Sequence, residues 1–144
     1  MPRPAAAALA RDMAAIRGAG ADALVSLLEV EESAGLGLAA EADAAAAAGL
    51  RFLHFPVADY GIPEDAAAFR ALLSELRARL AAGGGIAVHC RGGIGRSGTL
   101  VSCLCGAGSA AEAMRIVSAA RGVEVPETDA QRDLIREVID RRPR

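Results

Sequence analysis

The chain has 144 residues, a hydrophobic fraction of 53% and a net charge of −2. That length suits one domain, residues 1–144, with a real core, and the weak negative balance argues against nucleic acid as a partner. Three cysteines without a CxxC pair exclude a disulfide framework, and two histidines do not suggest a zinc site.

Ala5 to Arg17 is alanine-rich and favours helix, with Gly18 and Gly20 as its stop. Ala23 to Leu28 is a short apolar run that predicts a buried strand; Glu29, Glu31 and Glu32 follow at its end, and Glu29 and Glu32 read as solvated. Ala39 to Ala48 predicts a second helix, closed by Gly49, and Arg51 to Phe55 a second strand. Pro56 to Pro63 is a loop bracketed by prolines. Phe69, Leu72, Leu73, Leu76 and Leu80 recur at helical spacing within Glu64 to Ala82. Gly83 to Gly85 ends that helix and feeds the strand Ile86 to His89. Ser97 to about Cys105 predicts a buried helix, apolar nearly all round. Capping-box spacing at Ser109-Ala110-Ala111-Glu112 and at Thr128-Asp129-Ala130-Gln131 opens two more helices. Strands alternating with helices imply an α/β fold, three-layered, with a mostly parallel central sheet. The tail Arg141 to Arg144 reads as a solvated end.

No apolar stretch approaches the length of a membrane span, and the run before Arg11 and Asp12 is too short for a signal peptide. The expectation is a cytoplasmic monomer with no membrane partner, in a reducing compartment that leaves its thiols free.

The most informative stretch is His89-Cys90-Arg91-Gly92-Gly93-Ile94-Gly95-Arg96-Ser97. It follows a strand and opens a helix, so its amides form an anion site. A cysteine in that field is held as thiolate, and an arginine at the far end forks onto phosphate oxygens. Gly93 to Gly98 also matches GxGxxG, but no acidic residue caps a second strand downstream, so a dinucleotide site does not fit. A nucleotide P-loop fails because Arg96 stands where lysine belongs.

His89-Cys90-x5-Arg96-Ser97 resembles the signature of the protein tyrosine phosphatase superfamily. Asp59, in Pro56 to Pro63, resembles the general-acid loop of its small dual-specificity members. The Ala23 to Glu32 run is similar to kinase-associated-phosphatase-type enzymes and their bacterial relatives, and the Gln131 region resembles the family's glutamine loop. The resemblance implies a cysteine-dependent phosphatase acting on a phosphoprotein or phosphopeptide. It implies Cys90 as nucleophile, Asp59 as general acid and base, Ser97 as a donor to the sulfur, and Gln131 as a positioner of water. It implies phosphate binding by Arg91, Gly92, Gly93, Ile94, Gly95 and Arg96, with His89 orienting the loop and with no metal or cofactor. Phosphoinositide phosphatases of the superfamily carry extra lysines in the loop; here Arg91 is the one internal cation. Tyr60 is placed at the rim, His54 in a strand, and Cys103 and Cys105 in the core, more than a turn from the loop. Two other readings remain at this stage: a phosphate-binding module without turnover, and a rhodanese- or arsenate-reductase-like thiol enzyme. Superfamily members usually carry strands before the first helix. Here the chain begins almost at once with Ala5 to Arg17, so either the sheet is reduced at the N-terminus or this helix replaces an edge.

Overall fold

A computed structural model describes residues 1–141; of the tail, Arg142 to Arg144 lie outside the described residues. A 3-10 turn at Ala6–Ala8 leads into α1 (Leu9–Gly18), β1 (Ala23–Ser26), α2 (Val30–Gly35) and α3 (Glu41–Ala47). Then follow β2 (Arg51–His54), α4 (Ala66–Ala81), β3 (Ile86–His89), α5 (Arg96–Leu104), α6 (Ala110–Arg121) and α7 (Asp129–Asp140). The strands form one parallel sheet in the order β2-β1-β3. The expected reduction is therefore present: β3 forms the edge of the described sheet. Beside it the Met1 amino group donates to Val88 O at 2.7 Å.

Two apolar layers sandwich the sheet, which gives the three-layer architecture. On one face Leu24 packs with Met13 and Ile16 of α1 and with Ala45 of α3. On the other, Val25 and Val88 pack with Phe69, Leu72, Leu73 and Leu76 of α4, Leu100 and Cys103 of α5, Ala113 of α6 and Ile135 of α7. Each fully buried aliphatic side chain of this kind stabilises the fold by about 1.5–3 kcal/mol.

The helix starts follow local chemistry. Asp65 caps α4 by accepting from Ala67 N and Ala68 N, both at 2.9 Å. Ser109 Oγ accepts from Glu112 N at 3.2 Å, and α6 stops at Gly122, whose φ of 70° is left-handed. Thr128 and Gln131 complete the expected capping box of α7. Helix α2 is not apparent from the sequence, where the glutamates look like the end of a strand. Glu29 stands at its N-cap, and Glu29 N donates to Glu32 Oε2 at 3.3 Å.

Parallel pairing matters for function. Ser26 pairs with His89, so β1 and β3 end side by side. The segment carrying α2 and the glycine loop after β3 therefore leave the same edge of the sheet, the carboxyl end where open α/β sheets bind ligands.

Candidate active site

The loop Cys90–Gly95 runs from β3 into α5. Cys90 is 3% exposed. Gly93 N donates to its sulfur at 3.3 Å, and Ser97 Oγ lies 3.3 Å from the same atom. Burial pushes the thiol pKa up, but the hydrogen bonds from Ser97 and Gly93 and the charge of Arg96 outweigh it, holding the thiol below its ordinary 9.0. A lowered thiol pKa favours the thiolate, the form of cysteine that can act as a nucleophile.

The loop is braced from behind. Gly93 has a φ of 73°, and a side chain there would collide with the Met1 carbonyl. Arg121 Nε donates to Gly93 O at 2.8 Å, and Arg3 N donates to Arg91 O at 3.1 Å. These bonds occupy loop carbonyls with donors from other segments, so the carbonyls do not compete for the loop's own amides. Nothing in the spacing marks Arg121 for this task.

Arg96 opens α5 with its side chain 1% exposed. Nη1 donates to Glu32 Oε2 at 2.7 Å and to Val57 O at 2.9 Å. Nη2 donates to Glu32 Oε1 at 2.9 Å and to Asp59 Oδ1 at 3.1 Å. Desolvation opposes the charge of Arg96, yet Glu32, Asp59 and Cys90 together raise its pKa above the usual value. This corrects the reading of Glu32 as solvated. Its side chain is 8% exposed and also accepts from Arg91 Nε at 3.1 Å. A glutamate in an acidic run usually faces water; here α2 turns it inward onto two arginines. The Arg96 hydrogen bond holds the Glu32 carboxyl below its ordinary 4.5.

The remaining expected residues fall around this centre. Asp59 touches Arg96 while its side chain stays 43% exposed. Tyr60, beside it, is exposed and has a left-handed φ of 59°. Gln131 is buried; its Oε1 accepts from Glu127 N and Thr128 N, and Nε2 donates to Gly61 O at 3.0 Å. A side chain at Gly95 would meet that same amide, so Gln131 lies between the loop of Asp59 and the loop of Cys90. Gly92 and Arg91 are exposed, Gly93 and Gly95 are buried, and Ile94 is half-buried. His89 is fully buried, with Nδ1 3.0 Å from Cys90 O and Nε2 on the Glu41 carboxylate. Glu41, like Arg121, is a residue around the loop that the sequence does not disclose. His54 ends β2, with Nε2 2.7 Å from Leu28 O. Cys103 is buried as expected, whereas Cys105 is exposed, a correction that follows from its place at the open end of α5.

The family model described as a polymorphic toxin system, DSP-PTPase phosphatase (Tc-R-P), matches residues 1–108. The chain belongs to this dual-specificity branch of the protein tyrosine phosphatase superfamily. No curated protein sequence matches the phosphatase. Among solved structures it is similar to the kinase-associated phosphatase, here with its catalytic-site cysteine replaced by serine. The two share 24% identity over 91% of this chain and 75% of that one, with a TM-score of 0.80. It is 28% identical to Tk-PTP in its active form over 97% of this chain and 89% of that one, with a TM-score of 0.78. PTPMT1 in complex with PI(5)P shares the fold at 19% identity, covering 96% and 87%, with a TM-score of 0.77. Among the described residues, no helix of the phosphatase is long and apolar enough to cross a membrane.

Proposed function

We propose that the protein hydrolyses phosphomonoesters through a phosphocysteine intermediate on Cys90, with phosphotyrosine in proteins or peptides as the preferred substrate. The observation that carries the reading is the convergence on one loop of a thiol held below its ordinary pKa and an arginine bonded to Asp59. The thiolate attacks phosphorus, the S–P bond forms and the P–O bond to the leaving group breaks. Arg96 and the loop amides of Arg91 to Gly95 hold the equatorial oxygens, where charge spreads. Asp59 gives its proton to the leaving oxygen. In the second step Asp59 takes a proton from water, the water oxygen bonds phosphorus and the thiolate departs. Ser97, 3.3 Å from the sulfur, donates to it as charge returns. Gln131 serves the attacking water through the amide N–H it does not give to Gly61.

Two features support an aryl substrate. Exposed Tyr60 stands next to Asp59 and offers a ring to the substrate at the mouth. Arg91 is the one cation inside the loop, and Glu32 engages it, which disfavours a multiply phosphorylated headgroup. The test is turnover of phosphotyrosine, phosphoserine and phosphothreonine peptides, phosphoinositides and small phosphates beside a Cys90→Ser control. Vanadate-sensitive hydrolysis led by phosphotyrosine peptides, and lost in Cys90→Ser, is the expected result. Full turnover in Cys90→Ser would overturn the mechanism; preference for phosphoinositides would overturn the substrate.

A further inference from the structure

The buried pair Glu41 and His89 connects α3 to the phosphate loop. Both side chains are sealed, at 2% and 0% exposure. His89 Nδ1 lies 3.0 Å from the carbonyl oxygen of Cys90. A carbonyl only accepts, so Nδ1 must carry a proton. Nε2 meets the Glu41 carboxyl group, which shares a proton with it whichever of the two atoms holds it. The Cys90 carbonyl thus keeps a proton at Nδ1, and Glu41 anchors the opposite side of the ring at Nε2. Were the only ring proton at Nε2, the Nδ1 lone pair would face the Cys90 carbonyl oxygen and repel it.

The orientation of that carbonyl has a consequence in the loop. A trans peptide points its N–H opposite to its C=O. While Cys90 O is tied to His89 Nδ1, the Arg91 N–H is held pointing the opposite way. We propose that Glu41 is a positioning residue for the anion cradle: it anchors the His89 ring at Nε2, so that Nδ1 stays on the Cys90 carbonyl and holds the Cys90–Arg91 peptide in its phosphate-binding orientation.

This inference rests on the loop being a phosphate site, as proposed above, and the experiment separates the two. The probe is inorganic phosphate, titrated calorimetrically, so turnover is not needed. Glu41→Gln keeps an amide that donates to Nε2 and leaves the proton on Nδ1. Glu41→Leu fills similar volume with no polar atom; alanine is avoided because Glu41 lines a pocket of about 330 Å³, from which water would reach the ring. Phosphate affinity and kcat in Glu41→Gln should stay within about threefold of the native protein, whereas Glu41→Leu should lose about tenfold to a hundredfold in each. Nitrogen-15 spectra of the native protein should show His89 protonated at Nδ1, with that signature kept in Glu41→Gln. Equal phosphate affinity in Glu41→Leu and Glu41→Gln overturns the proposal. So does a native His89 unprotonated at Nδ1, a readout that needs no variant to fold. Failure of the native protein to bind phosphate would instead refute the phosphatase reading.

Discussion

Arg96 Nη2 donates to both Glu32 Oε1 and Asp59 Oδ1, at 2.9 and 3.1 Å. With Nη1 given to Glu32 and Val57 O, all four terminal hydrogens of the guanidinium have acceptors. A phosphate that takes the fork through Nε and Nη2 therefore competes with Asp59 for one N–H. The exchange is useful, because it releases Asp59 to face the leaving group when the anion is seated. It predicts that Asp59→Ala binds inorganic phosphate more tightly than the native protein. Because Asp59 is partly exposed, the gain should be modest, about two- to fivefold. Calorimetric titration checks it, and weaker phosphate binding in the variant would contradict the competition.

The same residue should separate substrates by their leaving groups. A poor leaving group needs the proton that Asp59 supplies, worth about 10²-fold or more in rate. An activated aryl phosphate departs largely without it. Asp59→Ala should thus lose about a hundredfold in kcat on a phosphotyrosine peptide and much less on an activated ester. Equal losses on both substrates would remove Asp59 from the role of general acid.

Glu32 should matter for stability as well as catalysis. Its folded carboxyl lies below the ordinary 4.5, chiefly through the Arg96 hydrogen bond. Charged Glu32 therefore stabilises the fold fully above that ordinary value, and the contribution fades as pH falls towards the lowered one. Glu32→Gln should cost about 2–3 kcal/mol near neutrality, less than a fully severed buried pair, since Arg96 keeps Asp59 and Val57. The difference between native protein and variant should shrink on acidification, as denaturant melts at several pH values would show. A gap that widens in acid would contradict this linkage.

Cys90 should react as a thiolate below the ordinary thiol range. Iodoacetamide modification of the native protein, followed against pH, should have its midpoint below 9.0. Ser97→Ala removes the largest of the stabilising hydrogen bonds and should move that midpoint upward. An unchanged midpoint would mean that Ser97 does not stabilise the thiolate.

Much of this site is visible in the sequence because it is local. Cys90, the glycines and Arg96 lie within one strand-loop-helix segment, and their spacing alone describes the anion loop. Glu41, Glu32 and Arg121 are different. Each reaches the loop from a separate element, and no periodicity says which polar residue of a helix turns inward. Glu32 reads as solvated because acidic runs usually are, and its burial follows only once parallel pairing brings α2 beside the loop. Glu41 sits in the first turn of α3, where an acidic residue already has a sufficient local reason in the helix dipole. The capping box of Gln131 is legible in sequence, but its bond to Gly61 crosses 70 residues and is not.

The central claim is tested most directly by rapid-quench mass spectrometry of the Asp59→Asn variant mixed with an activated aryl phosphate. Without the carboxylate that activates water, the intermediate should accumulate. One phosphoryl group is expected on the peptide containing Cys90, and none on the Cys90→Ser protein. Hydrolysis with no adduct on Cys90, or an adduct on another residue, would contradict it.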